Sequence, residues 1–145
     1  KYYNMESKRV YIDGIFDLFH IGHLESFKKS RKFYKNTILI VGVISDKNAT
    51  NYKREPIIKE LDRYEIIRNL KLVDLVIEDA PLIITEEFMI KYKIDLVVHG
   101  FSNEDDLENQ KEFFKVPIKM NKFKTIQYYK ELSTTDIINK IKKNY

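Results

Sequence analysis

The segment from Thr37 to Ile44 is an unbroken run of apolar, mostly β-branched side chains around one glycine. Such a run reads as a strand, and because it has no polar face it must be covered on both sides. It is far too short to cross a membrane as a helix, which takes about 20 apolar residues. The chain must therefore supply helices to both faces of a sheet. Its pattern does so, alternating short apolar runs with longer amphipathic stretches. Strands are expected at residues 9–12, 37–44, 73–77 and 96–98, with residues 116–120 as a further one. Helices are expected at residues 21–34, 59–72 and 86–93. A closing helix over residues 134–142 has Ser133 or Thr134 as its N-cap and Ile137, Ile138 and Ile141 as its apolar side. In the 59–72 helix, Leu61, Ile66, Ile67 and Leu70 fall on or near one face. Residues 103–111 are polar and acidic and read as an exposed loop.

Strands alternating with helices imply a parallel sheet with right-handed crossovers. The expectation is a single α/β domain over residues 1–145, a Rossmann-like parallel sheet with helices on both faces. Such sheets bind ligands beyond the carboxyl ends of their strands, where the strand order reverses. The loops after Ile12, Ile44 and Val98 are therefore the places to search.

Composition narrows the ligand. Charged residues make up 33% of the chain and there is no cysteine, so neither disulfides nor a cysteine-based zinc site is available. No signal-peptide pattern opens the sequence, and a cytoplasmic location is the simplest expectation. The net charge of +4 suits anionic ligands. No helix gathers basic residues with base-reading side chains, so nucleic acid is not an expected partner.

The loop after the first strand reads Asp13-Gly14-Ile15-Phe16-Asp17-Leu18-Phe19-His20-Ile21-Gly22-His23. Gly14 permits close backbone approach. A helix starting near Ile21 places His20 and His23 on one side, with Gly22 leaving room for a phosphate between them. The helix start adds free N–H groups and the positive end of its dipole. Such a constellation can donate hydrogen bonds to a phosphoryl group and stabilise charge developing on it. Asp17 is placed to orient a histidine or a substrate head group. The glutamate of a zinc-binding H-E-x-x-H helix is missing, and no metal ligands are assigned.

These residues resemble the H-x-G-H signature of the nucleotidylyltransferase superfamily. The wider string from Val10 to His23 is similar to the cytidylyltransferases, above all to the catalytic domain of the choline-phosphate enzymes. The likeness continues through residues 36–46, Asn51-Tyr52-Lys53, Asp62-Arg63-Tyr64-Glu65, Ala80-Pro81, His99 and residues 133–138. It implies the nucleotidylyltransferase fold and a reaction in which CTP and an alcohol phosphate give a CDP-alcohol and pyrophosphate. Phosphocholine is the first expectation for that alcohol phosphate, with phosphoethanolamine as the alternative. A diverged nucleotide-binding module without turnover is the other reading. The resemblance further implies that His20, His23 and Lys53 are catalytic. Asp13, Gly14, Ile15, Phe16, Asp17, Gly22, Arg63, His99, Ser133 and Thr134 would bind substrate, with Arg63 holding the triphosphate. It implies no tightly bound cofactor, Mg2+ arriving with CTP, a homodimer, and membrane association only through a segment outside this chain.

The sequence departs from the family pattern at three places. The family's Arg-Thr-Glu-Gly is replaced by Tyr128-Tyr129-Lys130-Glu131, leaving Lys130 or Lys124 as stand-ins for the arginine. Gly100, Phe101 and Ser102 follow His99 where acidic residues stand in the choline enzymes. Leu82 replaces a tryptophan after Ala80-Pro81, and the chain has no tryptophan at all. Aromatic faces commonly hold quaternary ammonium groups, so these changes bear on which alcohol phosphate is used.

Overall fold

A computed structural model describes residues 6–145. Its centre is a five-stranded, wholly parallel sheet in the order β3-β2-β1-β4-β5. The strands are β1 (Lys8–Gly14), β2 (Thr37–Val43), β3 (Leu75–Ile77), β4 (Leu96–His99) and β5 (Phe123–Thr125). The helices are α1 (Ile21–Arg31), α2 (Asp46–Tyr52), α3 (Glu60–Arg68), α4 (Glu86–Lys91), α5 (Glu104–Gln110), α6 (Lys115–Lys119) and α7 (Thr134–Asn144).

The sheet is buried on both faces, as the apolar run of β2 requires. Alternate residues of β1 and β2 enter opposite cores. Val10, Ile12, Leu39 and Val41 pack with Phe27 of α1 and Ile67 of α3. Tyr11 and Ile40 pack on the other side with Ile84, Met89 of α4 and Val97. Strand β1 is central, pairing with β2 along its length and with β4 from Val10 to Ile12. The chain first builds outward from β1 to β2 and β3, then returns to lay β4 and β5 on the other side. The reversal falls between β1 and β4.

Four expectations need correcting. Residues 116–120 belong to helix α6 and not to a strand, and the fifth strand comes just after them. Pro117 explains this, because a proline cannot donate to a strand ladder yet sits easily in the first turn of a helix. Residues 103–111 are largely helix α5 and not a loop. The Asn103 side chain caps it by accepting from Asp106 N at 2.8 Å, and Glu104, Asp105 and Asp106 meet the positive end of its dipole. Helix α2, capped by Ser45, was not foreseen; its sequence is too polar to show a periodic apolar face. Helix α3 buries Arg63, Tyr64 and Ile67, leaving Leu61 72% and Ile66 42% exposed. The expected apolar face was thus rotated by the demand to bury a guanidinium.

Tyr11 tests this core. Its ring lies fully buried edge-on to Phe88, centroids 5.1 Å apart. Its hydroxyl is buried without a hydrogen-bond partner among the described residues. Gly42 on the neighbouring strand makes room for it, since a Cβ there would collide with that hydroxyl. A buried hydroxyl without a partner costs about 1–3 kcal/mol. Tyr11→Phe should therefore raise the unfolding free energy by about 1 kcal/mol, as read by urea denaturation. A loss of stability would mean that the hydroxyl has a partner.

Candidate active site

The carboxyl ends of β1 and β4 open onto a cavity of about 200 Å³. Asp13 and Gly14 come to it from β1, His20, Gly22 and His23 from the following loop and α1, and Lys53 from the end of α2. His99 arrives from β4, and Ser133 and Thr134 from the start of α7. Ile15, Phe16 and Asp17 complete the loop wall. The structure therefore gathers every site residue expected from the sequence except Arg63.

The loop that carries the histidines is bent by two residues in the left-handed region, Phe16 (φ 56°) and Leu18 (φ 49°). Each such residue costs on the order of 1–3 kcal/mol and persists only where its surroundings over-determine it. Here they do. The Phe16 ring folds back over Gly14, where a Cβ would lie 2.8 Å from it, and stacks edge-on to Phe27 at 5.2 Å. The Asp17 carboxylate is buried and accepts from Ile57 N at 2.7 Å and Ile58 N at 2.9 Å. The Asp17 carbonyl accepts from the Thr134 hydroxyl at 3.0 Å. Asp17 therefore braces the loop against the segment after Lys53 and against α7. Among the described residues its carboxylate makes no hydrogen bond to a histidine; its partners are backbone amides.

Arg63 departs from its expected place. It is 1% exposed and donates from Nε to Ile58 O (2.9 Å) and from Nη1 to Ile15 O (2.6 Å) and Ile44 O (2.8 Å). Its Nη2 pairs with Asp46 Oδ1 at 2.8 Å. These protein partners take up four of its five N–H donors, and it braces the loops after β1 and β2 from beneath, outside the cavity lining.

The histidines are held by the backbone. His20 Nδ1 accepts from Gly22 N at 3.0 Å, and His23 Nδ1 accepts from His20 N at 3.1 Å. A nitrogen that accepts from an amide carries no proton, so each neutral ring has its proton on Nε2. The rings lie 3.9 Å apart with their planes 32° from parallel. Burial, then the charges of His20 and Lys53, lower the His23 pKa to about 3. Burial also lowers that of His20, against a smaller opposing pull from Asp136. The pair therefore presents two neutral N–H donors near pH 7. Gly22 serves this arrangement directly, because a Cβ there would lie 2.7 Å from His20 Cε1 and 3.2 Å from the Tyr129 ring. That space belongs to the His20 imidazole, and the Gly22 N–H is already given to it, so the room expected for a phosphate is not at this atom.

The start of α7 is a closed capping box. Ser133 Oγ accepts from Asp136 N, and Asp136 Oδ2 accepts from Ser133 N, both at 3.0 Å. Neither Lys124 nor Lys130 lines the cavity, whereas Tyr128 and Tyr129 do. The cation that lines it beside Lys53 is Arg54, which sequence reasoning missed. Its Nη1 donates to the Thr135 hydroxyl at 3.3 Å, reaching from the α2 side to the start of α7. Asp106 and Gln110 of α5 were missed as well, because their helix was read as a loop. Among the described residues no cluster of His, Cys, Asp or Glu is grouped to hold a metal ion.

His23 yields a direct test. Its folded pKa of about 3 lies below the ordinary value of 6.5. The unfolded chain therefore binds the extra proton first as pH falls. The stability this residue contributes is complete above pH 6.5 and is lost as pH drops towards 3. The His23 ring resonances in NMR should stay flat from pH 8 to about 5. A midpoint near the ordinary histidine value would show that the ring is not held as described.

The model of the family described as cytidylyltransferase-like matches residues 11–140. Choline-phosphate cytidylyltransferase 2 of Arabidopsis thaliana is 40% identical over 94% of this chain and 45% of its own length. The ethanolamine-phosphate cytidylyltransferase of Dictyostelium discoideum is 33% identical over 95% of this chain and 38% of its own. The chain thus spans less than half the length of either relative. A solved structure of the lipopolysaccharide core biosynthesis protein from Thermoplasma volcanium superposes with a TM-score of 0.66 at 29% identity, over 86% of this chain and all of that one. With the family match spanning nearly the whole chain, and its H-x-G-H histidines set at the switch point of a parallel sheet, the chain belongs to the cytidylyltransferase-like family.

Proposed function

We propose that this chain transfers the cytidylyl group of CTP to an alcohol phosphate, phosphocholine first, giving CDP-choline and pyrophosphate. The observation that carries this reading is the histidine pair, with both Nδ1 atoms tied to backbone amides at the mouth between β1 and β4. The family and the names of the relatives supply the substrates.

In this reaction a phosphate oxygen of the alcohol phosphate attacks the α-phosphorus of CTP. The bond from that phosphorus to the bridging oxygen of the β-phosphate breaks, and pyrophosphate leaves with the bond's electrons. No protein nucleophile and no proton abstraction is needed. What the step needs is donors for the oxygens whose charge grows. The Nε2–H groups of His20 and His23 serve there. Lys53 neutralises charge between the reacting phosphates, and Mg2+ enters as part of the CTP complex. Arg54 supplies the guanidinium that the family places in its Arg-Thr-Glu-Gly segment. A second reading, a nucleotide-binding module without turnover, has one observation in its favour: residues 128–131 hold no arginine.

His20→Ala and His23→Ala should each cut CDP-choline formation by at least about 100-fold, the usual effect of losing one such donor. Thermal unfolding measured beside turnover separates this from collapse of the loop. Unchanged turnover would refute the assignment, and a parent protein that binds CTP without making product would favour the module.

Arg54→Ala should raise the KM for CTP by about tenfold or more, since a charge-assisted hydrogen bond contributes about 1.5–3 kcal/mol. The KM for phosphocholine should move much less. Steady-state kinetics with each substrate varied in turn decides the point.

A further inference from the structure

The chain from Asp46 to Glu60 leaves the body of the fold and returns to the point it left. Helix α2 runs out along Asp46–Tyr52. Lys53 and Arg54 follow at its end and line the cavity. The chain then comes back past Ile57 and Ile58, whose amides hold the Asp17 carboxylate, and enters α3 at Glu60. Compact excursions whose ends lie close together frequently carry function. This one supplies the two cations that line the cavity and one support of the histidine loop.

Its two ends are clamped to each other. Glu60 Oε1 accepts from Asp46 N at 2.7 Å, and Asp46 Oδ2 accepts from Glu60 N at 3.3 Å. Asp46 and Glu60 are the first helical residues of α2 and α3. Each carboxylate thus takes an amide from the first turn of the other helix, a donor with no partner inside its own. The exchange answers a local defect, because Lys59, just before α3, makes no side-chain capping bond. Asp46 gives its other oxygen to Arg63 Nη2 at 2.8 Å. The Glu60 carboxylate accepts no second hydrogen bond among the described residues, so it can be removed while the Arg63 pair stays.

Helix α2 is closed at both ends between the clamp and the cavity. The Ser45 hydroxyl caps it by accepting from Asn48 N at 3.2 Å, and Lys53 N donates to Ala49 O at 2.9 Å. Seven residues at a rise of about 1.5 Å each put Lys53 about 10 Å from the clamp. Over that length a tilt of about 6° at the clamped end moves Lys53 by about 1 Å. A positioning error of that size can cost about 100-fold in rate.

We propose that Glu60 is a positioning residue for cytidylyl transfer: by holding the first amide of α2 it fixes that helix and so sets where Lys53 stands. The inference rests on the proposed transfer, in which Lys53 meets the reacting phosphates. Glu60 itself lies outside the cavity lining. It acts through the Asp46 amide and the length of α2, with Lys53 as the group that meets substrate.

Glu60→Ala removes the acceptor, and Glu60→Gln keeps an acceptor oxygen in its place. CDP-choline formation is measured on both, and on Glu60→Ala combined with Lys53→Ala, beside thermal unfolding and amide hydrogen exchange. Glu60→Ala should lower kcat about tenfold or more, while Glu60→Gln stays within about threefold of the parent. In the Lys53→Ala background the same Glu60→Ala change should cost less than about twofold, because the group it positions is already gone. Unchanged kcat in Glu60→Ala, an equal loss in Glu60→Gln, or the full loss in the Lys53→Ala background overturns the proposal. If Glu60→Ala does not fold, Glu60→Asp, which shortens the reach by a methylene, takes its place under the same criteria. Exchange gives a readout independent of turnover. In Glu60→Ala the Asp46 and Lys53 amides should exchange at least about tenfold faster, the equivalent of one charge-assisted hydrogen bond, while the His23 amide bonded to His20 O keeps its rate. Should the parent make no product with any alcohol phosphate, the proposed transfer fails and exchange decides the clamp. Faster exchange confined to α2 and Lys53 upholds it, and unchanged or uniformly faster exchange overturns it.

Discussion

The architecture of the site hangs on one buried cation. Arg63 lies under the crevice, hydrogen-bonded to the carbonyls of Ile15, Ile44 and Ile58 and paired with Asp46. Ile15 leaves β1 and Ile44 leaves β2, so one guanidinium fixes the exit of two adjacent strands. A planar fork with several donors does this where a lysine point charge could not. Removing it would leave the carbonyls of Ile15, Ile44 and Ile58 without this donor, and a buried acceptor left unpaired costs about 1–3 kcal/mol. The histidine loop, the left-handed Phe16 and Leu18, and the position of Lys53 all depend on those exits being fixed.

Asp17 extends the same logic to the other side. It is a buried carboxylate that accepts from two successive amides, and Thr134 then reaches its carbonyl from the final helix. Three segments far apart in sequence are thus held through one residue of the H-x-G-H loop. Arg63 and Asp17 are both charged residues of the family pattern, and both are spent on backbone. The charged and imidazole side chains otherwise lining the cavity are His20, His23, His99, Lys53, Arg54, Asp13 and Asp106.

This division explains what the sequence could reveal. The all-parallel sheet was legible because β2 is apolar on both faces and because strands and amphipathic stretches alternate. The histidine loop was legible because its spacing follows the first strand directly. What failed were the judgements about where particular polar side chains send their hydrogen bonds. Arg63 and Asp17 look like ligand residues in one dimension, and only the chain packing around them shows where their hydrogen bonds go. Residues 103–111 look like loop because α5 is polar and short; its stability comes from the Asn103 cap and from docking beside the cavity. Hence Asp106 and Gln110 went unseen. Arg54 went unseen because it follows a lysine in a polar stretch, where surface exposure is the ordinary expectation.

The opposite treatment of positive and neutral groups follows from geometry. His20 and His23 lie with ring centroids 3.9 Å apart, so two imidazolium rings there would repel strongly in a partly buried place. Backbone amides hold both Nδ1 atoms as acceptors, and burial resists protonation, so the rings contribute direction without charge. Net positive charge comes instead from Lys53 and Arg54, which stand at the exposed end of α2. On the proposed chemistry, the rigid donors meet the oxygens whose charge grows, while the long side chains follow the polyanion as it enters and as pyrophosphate departs. Rigid and neutral groups against the reacting phosphorus, and long charged ones at the mouth, let the site favour the transition state without holding the pyrophosphate product in place.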